Sequence, residues 1–475
     1  MLPPWWLTLF SHFFLPRQPV YSPAFRHHCQ HLPSRPHSSM TQTYESWGRY
    51  PRRRQHPRRA HWSDQIAFGA RALLPFGNGR SYGDSCLNST GELLDIRSLD
   101  RFIHFDTGRG RLRCEAGVLL AEILQLIVPR GWFLPVTPGT RFVTVGGAIA
   151  NDVHGKNHHQ AGTFGRHVRR LELLRSDGSR RLCSAEENPQ WFAATVGGLG
   201  LTGVILWAEL QLQPVANAWI SQEVIRFPDL AAFFALSAAS QRDYQYSVAW
   251  VDCLARGAQL GRGLFIRGNH APALPARRPP PPRLRLDVPL APPVSLINRL
   301  SLRLFNTVYF HVRPSRQRGI SHYQPFFYPL DSVLRWNRIY GPRGFLQYQC
   351  VVPIDDGHAA IQAILRRISD AGQGSFLAVL KVFGDLPSPG MLSFPRPGVT
   401  LALDFPFHGE ATLDLLAALD RIVVQVGGAV YPAKDARMSG AHFQRFFPLW
   451  ETFRDYRDPR LNSDFWRRVN EESHA

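Results

Sequence analysis

Lysine is scarce in this chain: of 55 basic side chains only Lys156, Lys381 and Lys434 are lysines, and the rest are arginines. A guanidinium keeps its proton and presents a wide planar fork, whereas an ammonium is compact and gives up its proton more readily when buried. Positions that keep lysine are therefore candidates for proton transfer or for a small donor in a tight space. Lys156 lies in Asn151-Asp152-Val153-His154-Gly155-Lys156-Asn157-His158-His159. Lys381 follows the apolar run Ser375-Phe376-Leu377-Ala378-Val379-Leu380, and Lys434 lies in Tyr431-Pro432-Ala433-Lys434-Asp435. Lys434 fits either removal of a proton from an alcohol or stabilisation of a developing anion. Gln347 and Gln349 stand two apart in a strand-like run, which turns both amides to one face. His158 and His159 read as packed or solvated histidines.

The main chain offers a second kind of chemistry. Gly77-Asn78-Gly79-Arg80-Ser81-Tyr82-Gly83-Asp84 follows the apolar run Leu73-Leu74-Pro75-Phe76. Consecutive backbone N–H groups in such a glycine-rich turn can wrap a pyrophosphate. A second cluster runs from Pro138 and Gly139 through Thr144, Val145, Gly146 and Gly147 to Ala150 and leads into the Lys156 segment; a third spans Gly197 to Gly203. No Gly-Lys-Ser/Thr follows the first loop, and the spacing is not that of a Rossmann dinucleotide fingerprint. The six cysteines, Cys29, Cys86, Cys114, Cys183, Cys253 and Cys350, show no ligand-like spacing. That argues against a zinc site and a disulfide framework, and fits a reducing, cytoplasmic compartment.

These groups need a scaffold. At 475 residues and 44% apolar composition, the chain can bury a large core and divide into domains. Turn signals predict hairpins around Thr107–Gly110 and Ser176–Gly178, a helix over Leu119–Ile127, and a strand over Leu206–Leu212. Further on they predict strands over Phe345–Pro353 and Val399–Phe405, with a helix over Ala359–Ile368. Arg277-Arg278-Pro279-Pro280-Pro281-Pro282 reads as an exposed loop. The net charge is +19, and residues 1–60 hold nine arginines against one acid, Glu45. Those 60 residues read as a disordered basic leader, apt for anionic headgroups at the inner face of a plasma membrane. The apolar run Trp5–Leu15 is too short for a membrane span and lacks the basic flank of a signal peptide; Met40 opens the first ordinary segment. No nucleic-acid module accompanies the charge, so a nucleic-acid partner is not expected.

The set GNGRSYGD, PGTRFVTVGGAIANDVHGKNHHQAGTFG, ATVGGLGLTGVI, FLQYQCVVP and YPAKDAR resembles the FAD-dependent oxidoreductases of the vanillyl-alcohol-oxidase superfamily. Within it, the chain is similar to the decaprenylphosphoryl-β-D-ribose 2-oxidase family from about residue 61 to the C-terminus. The resemblance implies an α+β fold: a PCMH-type two-subdomain FAD-binding domain (61–215), an antiparallel-sheet substrate domain with flanking helices (216–425), and a segment returning to the flavin (426–475). Gly77, Asn78, Gly79, Arg80, Ser81, Tyr82 and Gly83, with Gly139, Thr144, Val145, Gly146 and Gly147, would hold FAD. His154, Gly155, Lys156 and Asn157 would line the flavin, with Ile205 and Tyr431 closing on it. Trp250, Gln347, Gln349, Lys381 and Lys434 would meet the substrate, and Lys434, His154 and Tyr431 would serve catalysis. The first loop lacks the histidine, and the second motif the cysteine, that covalent relatives use, so FAD is expected to be non-covalent. Ala402 stands where many members have cysteine, and Phe327 where they have tyrosine. The implied reaction oxidises the C2 hydroxyl of a polyprenyl-phosphoryl-ribose, with an NAD(P)H-dependent short-chain reductase as partner for the second step. An aldonolactone or alditol oxidase on the same fold is the alternative.

Overall fold

The computed structural model describes residues 44–273 and 286–470. The Trp5–Leu15 run, Cys29, Met40 and the proline run at 279–282 lie outside these residues. The chain divides into Met1–Tyr44 and a second compact unit, Glu45–Ala475, which carries everything described below.

Two sheets occupy the first half of that unit. Leu73–Phe76 and Pro57–Arg59 pair in parallel with the central strand Glu92–Asp95. Five antiparallel strands follow in the order Phe102–Asp106, Arg111–Glu115, Val204–Gln211, Val168–Leu174 and Arg180–Ser184. Both expected hairpins are present in this sheet. Between the two sheets runs a core that includes Leu94, Ile96, Leu112, Ile123, Leu171 and Leu206. The glycine loop thus leaves the C-terminal end of Leu73–Phe76, where a parallel α/β sheet usually offers its ligand crevice.

The second half holds an eight-stranded antiparallel sheet. Its order is Arg316–His322, Trp219–Phe227, Gly263–His270, Tyr246–Val251, Ala378–Phe383, Gly398–Pro406, Phe345–Val352 and Ala429–Val430. Helices Ile354–Ala371 and Glu410–Gln425 cover one face of its last strands. The first is longer than expected from sequence: it starts directly after Pro353, Asp355 and Asp356 favour its first turn, and Gly372 ends it at φ +66. Its buried Ile361, Ile364, Leu365 and Ile368 recur at helical spacing.

The expected leader boundary at residue 60 is corrected. Residues 45–60 belong to the folded unit: Trp47 N–H donates to Ser81 O (2.7 Å), Gly48 N–H donates to Tyr82 O (3.2 Å), and Pro57–Arg59 is a strand. Arginine density hid this segment: Arg52, Arg53, Arg54 and Arg59 are exposed, while the backbone beside them pairs inward. The C-terminal residues also return to the start, because Leu461 bridges Leu73 and Asn462 N–H donates to Leu73 O (3.0 Å).

Candidate active site

Register on the large sheet places the polar residues. Gln347 lies opposite Asp404, Gln349 opposite Ala402, Thr400 opposite Lys381, and Ala402 opposite Val379. Alternation puts all of these side chains on the face away from the helices, whereas Tyr348 and Cys350 turn toward Glu410–Gln425. Facing this polar surface are the glycine loops, and one cavity is lined by both. Its wall includes Gly77, Asn78, Gly79, Arg80, Ser81, Tyr82, Gly139, Thr144, Gly146, Gly147, His154 and Ile205. It also includes Gln347, Gln349, Lys381, Tyr431 and Lys434.

The loops are sewn to the C-terminal segment. Tyr82 N–H donates to Ala433 O (2.9 Å), and a Cβ on Gly83 would overlap the Asp435 carbonyl oxygen. Arg468 bridges both sides, bonded to Asp84 (2.8 Å) and to Asp435 (3.0 Å). The two glycine clusters are tied by Asn78 Nδ2 donating to Phe142 O (2.7 Å). As a result Lys434 is carried to the cavity wall with its Nζ 3.8 Å from the centre of the Tyr82 ring, a cation–π contact.

Burial depresses the lysines. The Lys434 ammonium is lowered to about 7 by desolvation, with Asp404 raising it and Lys381 lowering it; Lys381 is lowered to about 8 by desolvation. Both keep some accessible surface because they line the cavity. Asp404 is fully buried; it accepts from Gln347 Nε2 (2.6 Å) and Tyr340 Oη (3.0 Å), and desolvation raises it to about 7. Sequence reasoning passed over Asp404, although an acid inside the apolar run Val399–Phe405 was the available signal. It also missed Trp47, whose ring lies 3.9 Å beneath the Arg80 guanidinium.

Other expected site residues are held by neighbours within the protein. His154 is buried, its Nε2 lies 2.9 Å from the amide Nε2 of Gln349, and desolvation followed by the Lys381 charge holds its pKa well below the usual value. The Gln349 amide holds this imidazole in place on the cavity wall. Tyr431 donates its hydroxyl to Asn151 O (2.6 Å) and stacks on Phe394 with ring centres 4.6 Å apart, so it acts as an aromatic wall. Gly83, Val145, Gly155, Lys156, Asn157 and Trp250 lie off the cavity wall. Val145 is in the core, and Lys156 gives its ammonium to Phe326 O. Gly155 offers its carbonyl to Lys381 Nζ (3.4 Å), Asn157 Nδ2 donates to Pro135 O (2.7 Å), and Trp250 Nε1 donates to Phe376 O (2.8 Å).

The wall fits a ligand that combines a pyrophosphate with a redox ring. Among the described residues, the five successive N–H groups of Gly77 to Ser81 form no hydrogen bond to other main-chain or side-chain acceptors, and Arg80 Nε is buried without a partner. A run of free donors beside an arginine suits a phosphate anion. Among the described residues no cluster of metal-ligating side chains occurs, and the five cysteines are free thiols. The glycine loops, the polar sheet face and the depressed lysines together are those of an FAD-dependent oxidoreductase. Residues 68–184 match the family model described as an FAD binding domain. The chain is 37% identical over 416 residues to decaprenylphosphoryl-β-D-ribose oxidase of Mycolicibacterium smegmatis, covering 84% of this chain and 90% of that protein. It therefore belongs to the decaprenylphosphoryl-β-D-ribose oxidase family. Shorter similarities reach D-arabinono-1,4-lactone oxidase of Kluyveromyces lactis, 23% identical over 34% of this chain and 31% of that protein. Delta(24)-sterol reductase of Homo sapiens is 31% identical over 24% of this chain and 22% of that protein.

Proposed function

We propose that this protein oxidises the C2 hydroxyl of a polyprenyl-phosphoryl-β-D-ribose to the 2-keto sugar. An NAD(P)H-dependent short-chain reductase then completes the epimerisation to the arabinose configuration. The observation that carries this reading is the convergence, in one cavity, of the glycine loops with Gln347, Gln349, Lys381 and Lys434. The residues around 61–215 hold FAD, those around 216–425 present the sugar, and 426–475 bring Lys434 to both.

Bound FAD supplies the hydride acceptor for the C2–H bond. Lys434, with a pKa of about 7, takes the hydroxyl proton in its neutral form, and Asp404 nearby stabilises the ammonium that results. Gln347 and Gln349 orient the sugar hydroxyls from one side of the sheet, while Lys381 contributes a second donor from the neighbouring strand. His154 and Tyr431 shape the wall and exclude water. Ala402 leaves a small, unreactive surface at the centre of that face.

FAD is held without a covalent bond. Cys86 is the thiol on the cavity wall, and burial pushes its pKa up to about 12, so it carries little nucleophilic thiolate. The protein works beside the membrane that holds its lipid-linked substrate, on the cytoplasmic side. No helix among the described residues is long and apolar enough to cross a membrane. Anaerobic bleaching of the flavin by a polyprenyl-phosphoryl-ribose, and not by soluble aldonolactones, tests the assignment.

A further inference from the structure

Helix Arg299–His311 is built the wrong way round for a wholly solvated helix. Its inner face is well fixed: Leu302, Asn306 and Phe310 are buried, Asn306 Nδ2 donates to Asp252 Oδ1 (2.7 Å), and Tyr309 meets Trp250 with ring centres 4.8 Å apart. The Asn298 side chain caps its start by accepting from Leu300 and Ser301 N–H. Yet Leu300 is 79% exposed and Leu304, one turn on, is 56% exposed. Exposed apolar side chains also flank the helix in sequence, Leu290 and Val294 before it and Val312 after it. Clustered exposed leucines are a recognised mark of an interaction site.

The charge carried by this segment of the chain has one sign. Residues 288–322 contain five arginines, Arg299, Arg303, Arg313, Arg316 and Arg318, and no aspartate or glutamate. Arg299 and Arg303 are exposed beside Leu300 and Leu304. Arg316 and Arg318 share a single buried Glu223 with Arg267, which leaves excess positive charge at that edge of the sheet. Leucines flanked by arginines on one side of a fixed helix complement an anionic bilayer interface, where the apolar groups enter the acyl boundary and the guanidinia meet lipid phosphates.

This surface adjoins the cavity. The helix packs through Phe305 on Phe376, the neighbour of the wall residue Leu377, with ring centres 5.4 Å apart. The segment that carries Leu290 begins at Leu286–Asp287, which pairs with the wall residues Val333 and Leu334. We infer that helix Arg299–His311 lies in the interface of an anionic membrane, inserting Leu300 and Leu304, so that the cavity opens toward lipid-borne substrate. The substrate part of this statement rests on the function proposed above; the membrane part does not.

The test uses the full-length holoenzyme and flotation with substrate-free vesicles of phosphatidylcholine, with and without phosphatidylglycerol. Wild type is expected to float with the anionic vesicles and not with the neutral ones. Leu300→Asp/Leu304→Asp is expected to weaken that binding about tenfold or more, because it removes both inserted side chains and adds repelled charge. Its flavin spectrum, melting temperature and turnover of a short-chain soluble substrate should stay at wild-type levels, since neither leucine lines the cavity. If the aspartates impair folding, Leu300→Ser/Leu304→Ser serves in their place with a smaller loss. Failure of wild type to bind anionic vesicles at low ionic strength overturns the inference and leaves the face to a protein partner. Equal binding by wild type and both variants overturns it as well, since another part of the chain would then carry the contact. Vesicle binding without oxidation of any phosphoryl-ribose would sink the proposed function and leave the membrane face standing.

Discussion

Lys434→Arg separates the two things a cation in this cavity can do. Desolvation lowers the Lys434 ammonium from 10.5 to about 7. That difference corresponds to about 5 kcal/mol in favour of the neutral amine, so about half of Lys434 is neutral at pH 7, against about one in three thousand for an ordinary lysine. If the neutral amine takes the hydroxyl proton, kcat/KM in the wild type rises about tenfold per pH unit below 7 and levels off above it. Arginine keeps the positive charge but has no accessible neutral form, so Lys434→Arg should lower turnover about a hundredfold to ten-thousandfold and abolish the limb near pH 7. Stopped-flow reduction of the bound flavin between pH 5.5 and 9 reads this directly, with the visible spectrum confirming that FAD is still held. Should Lys434→Arg retain wild-type rates, or should the wild-type profile be flat across that range, Lys434 acts as a fixed cation and the proton-transfer role is wrong. The stability linkage has a defined sign. A lysine whose folded pKa is depressed binds fewer protons in the folded state, so its penalty is full below about 7 and is relieved as pH rises toward 10.5. Lys434→Met should therefore raise the melting temperature more at pH 6 than at pH 10.

Three further outcomes are expected. Asp404→Asn removes the one carboxylate that raises the Lys434 pKa, so the acid limb of the rate profile should move to lower pH; a limb that stays fixed would show that the two groups do not communicate. Arg468→Ala leaves the buried carboxylates of Asp84 and Asp435 uncompensated, which should cost about 3–5 kcal/mol in denaturant unfolding and lower FAD occupancy. An unchanged midpoint with full flavin would contradict the clamp. Heat or acid precipitation should leave all of the flavin in the supernatant, and yellow colour retained in the washed pellet would overturn non-covalent binding.

Much of the candidate site was legible because two residues of the cavity wall are lysines, a type that the rest of the chain avoids. Lys381 and Lys434 stood out against an arginine background, and the glycine loop stood out because five consecutive N–H donors need a turn that only glycine-rich sequence makes. The pair Gln347 and Gln349 was legible through strand alternation. Hidden were the facts set by tertiary neighbours. Lys156 has the same type and a similar setting as the other lysines, yet the Phe326 carbonyl lies within its reach and takes it off the wall. Gly83 reads as part of the cradle, but its missing side chain makes room for the Asp435 backbone. Asp404 looked like one polar residue in a strand until the register placed Gln347 opposite it. The ordered segment at 45–60 was masked by its arginines, whose solvation says nothing about where the backbone pairs.

The central claim is that the cavity oxidises a phosphoryl-ribose carried on a lipid. Anaerobic mixing of the purified yellow holoenzyme with one equivalent of polyprenyl-phosphoryl-β-D-ribose, followed at 450 nm, tests it most directly. The account predicts full bleaching with formation of one equivalent of the 2-keto sugar, and no bleaching by D-arabinono-1,4-lactone. Stoichiometric FAD that stays oxidised with the phosphoryl-ribose, or that is bleached equally by the lactone, would contradict it.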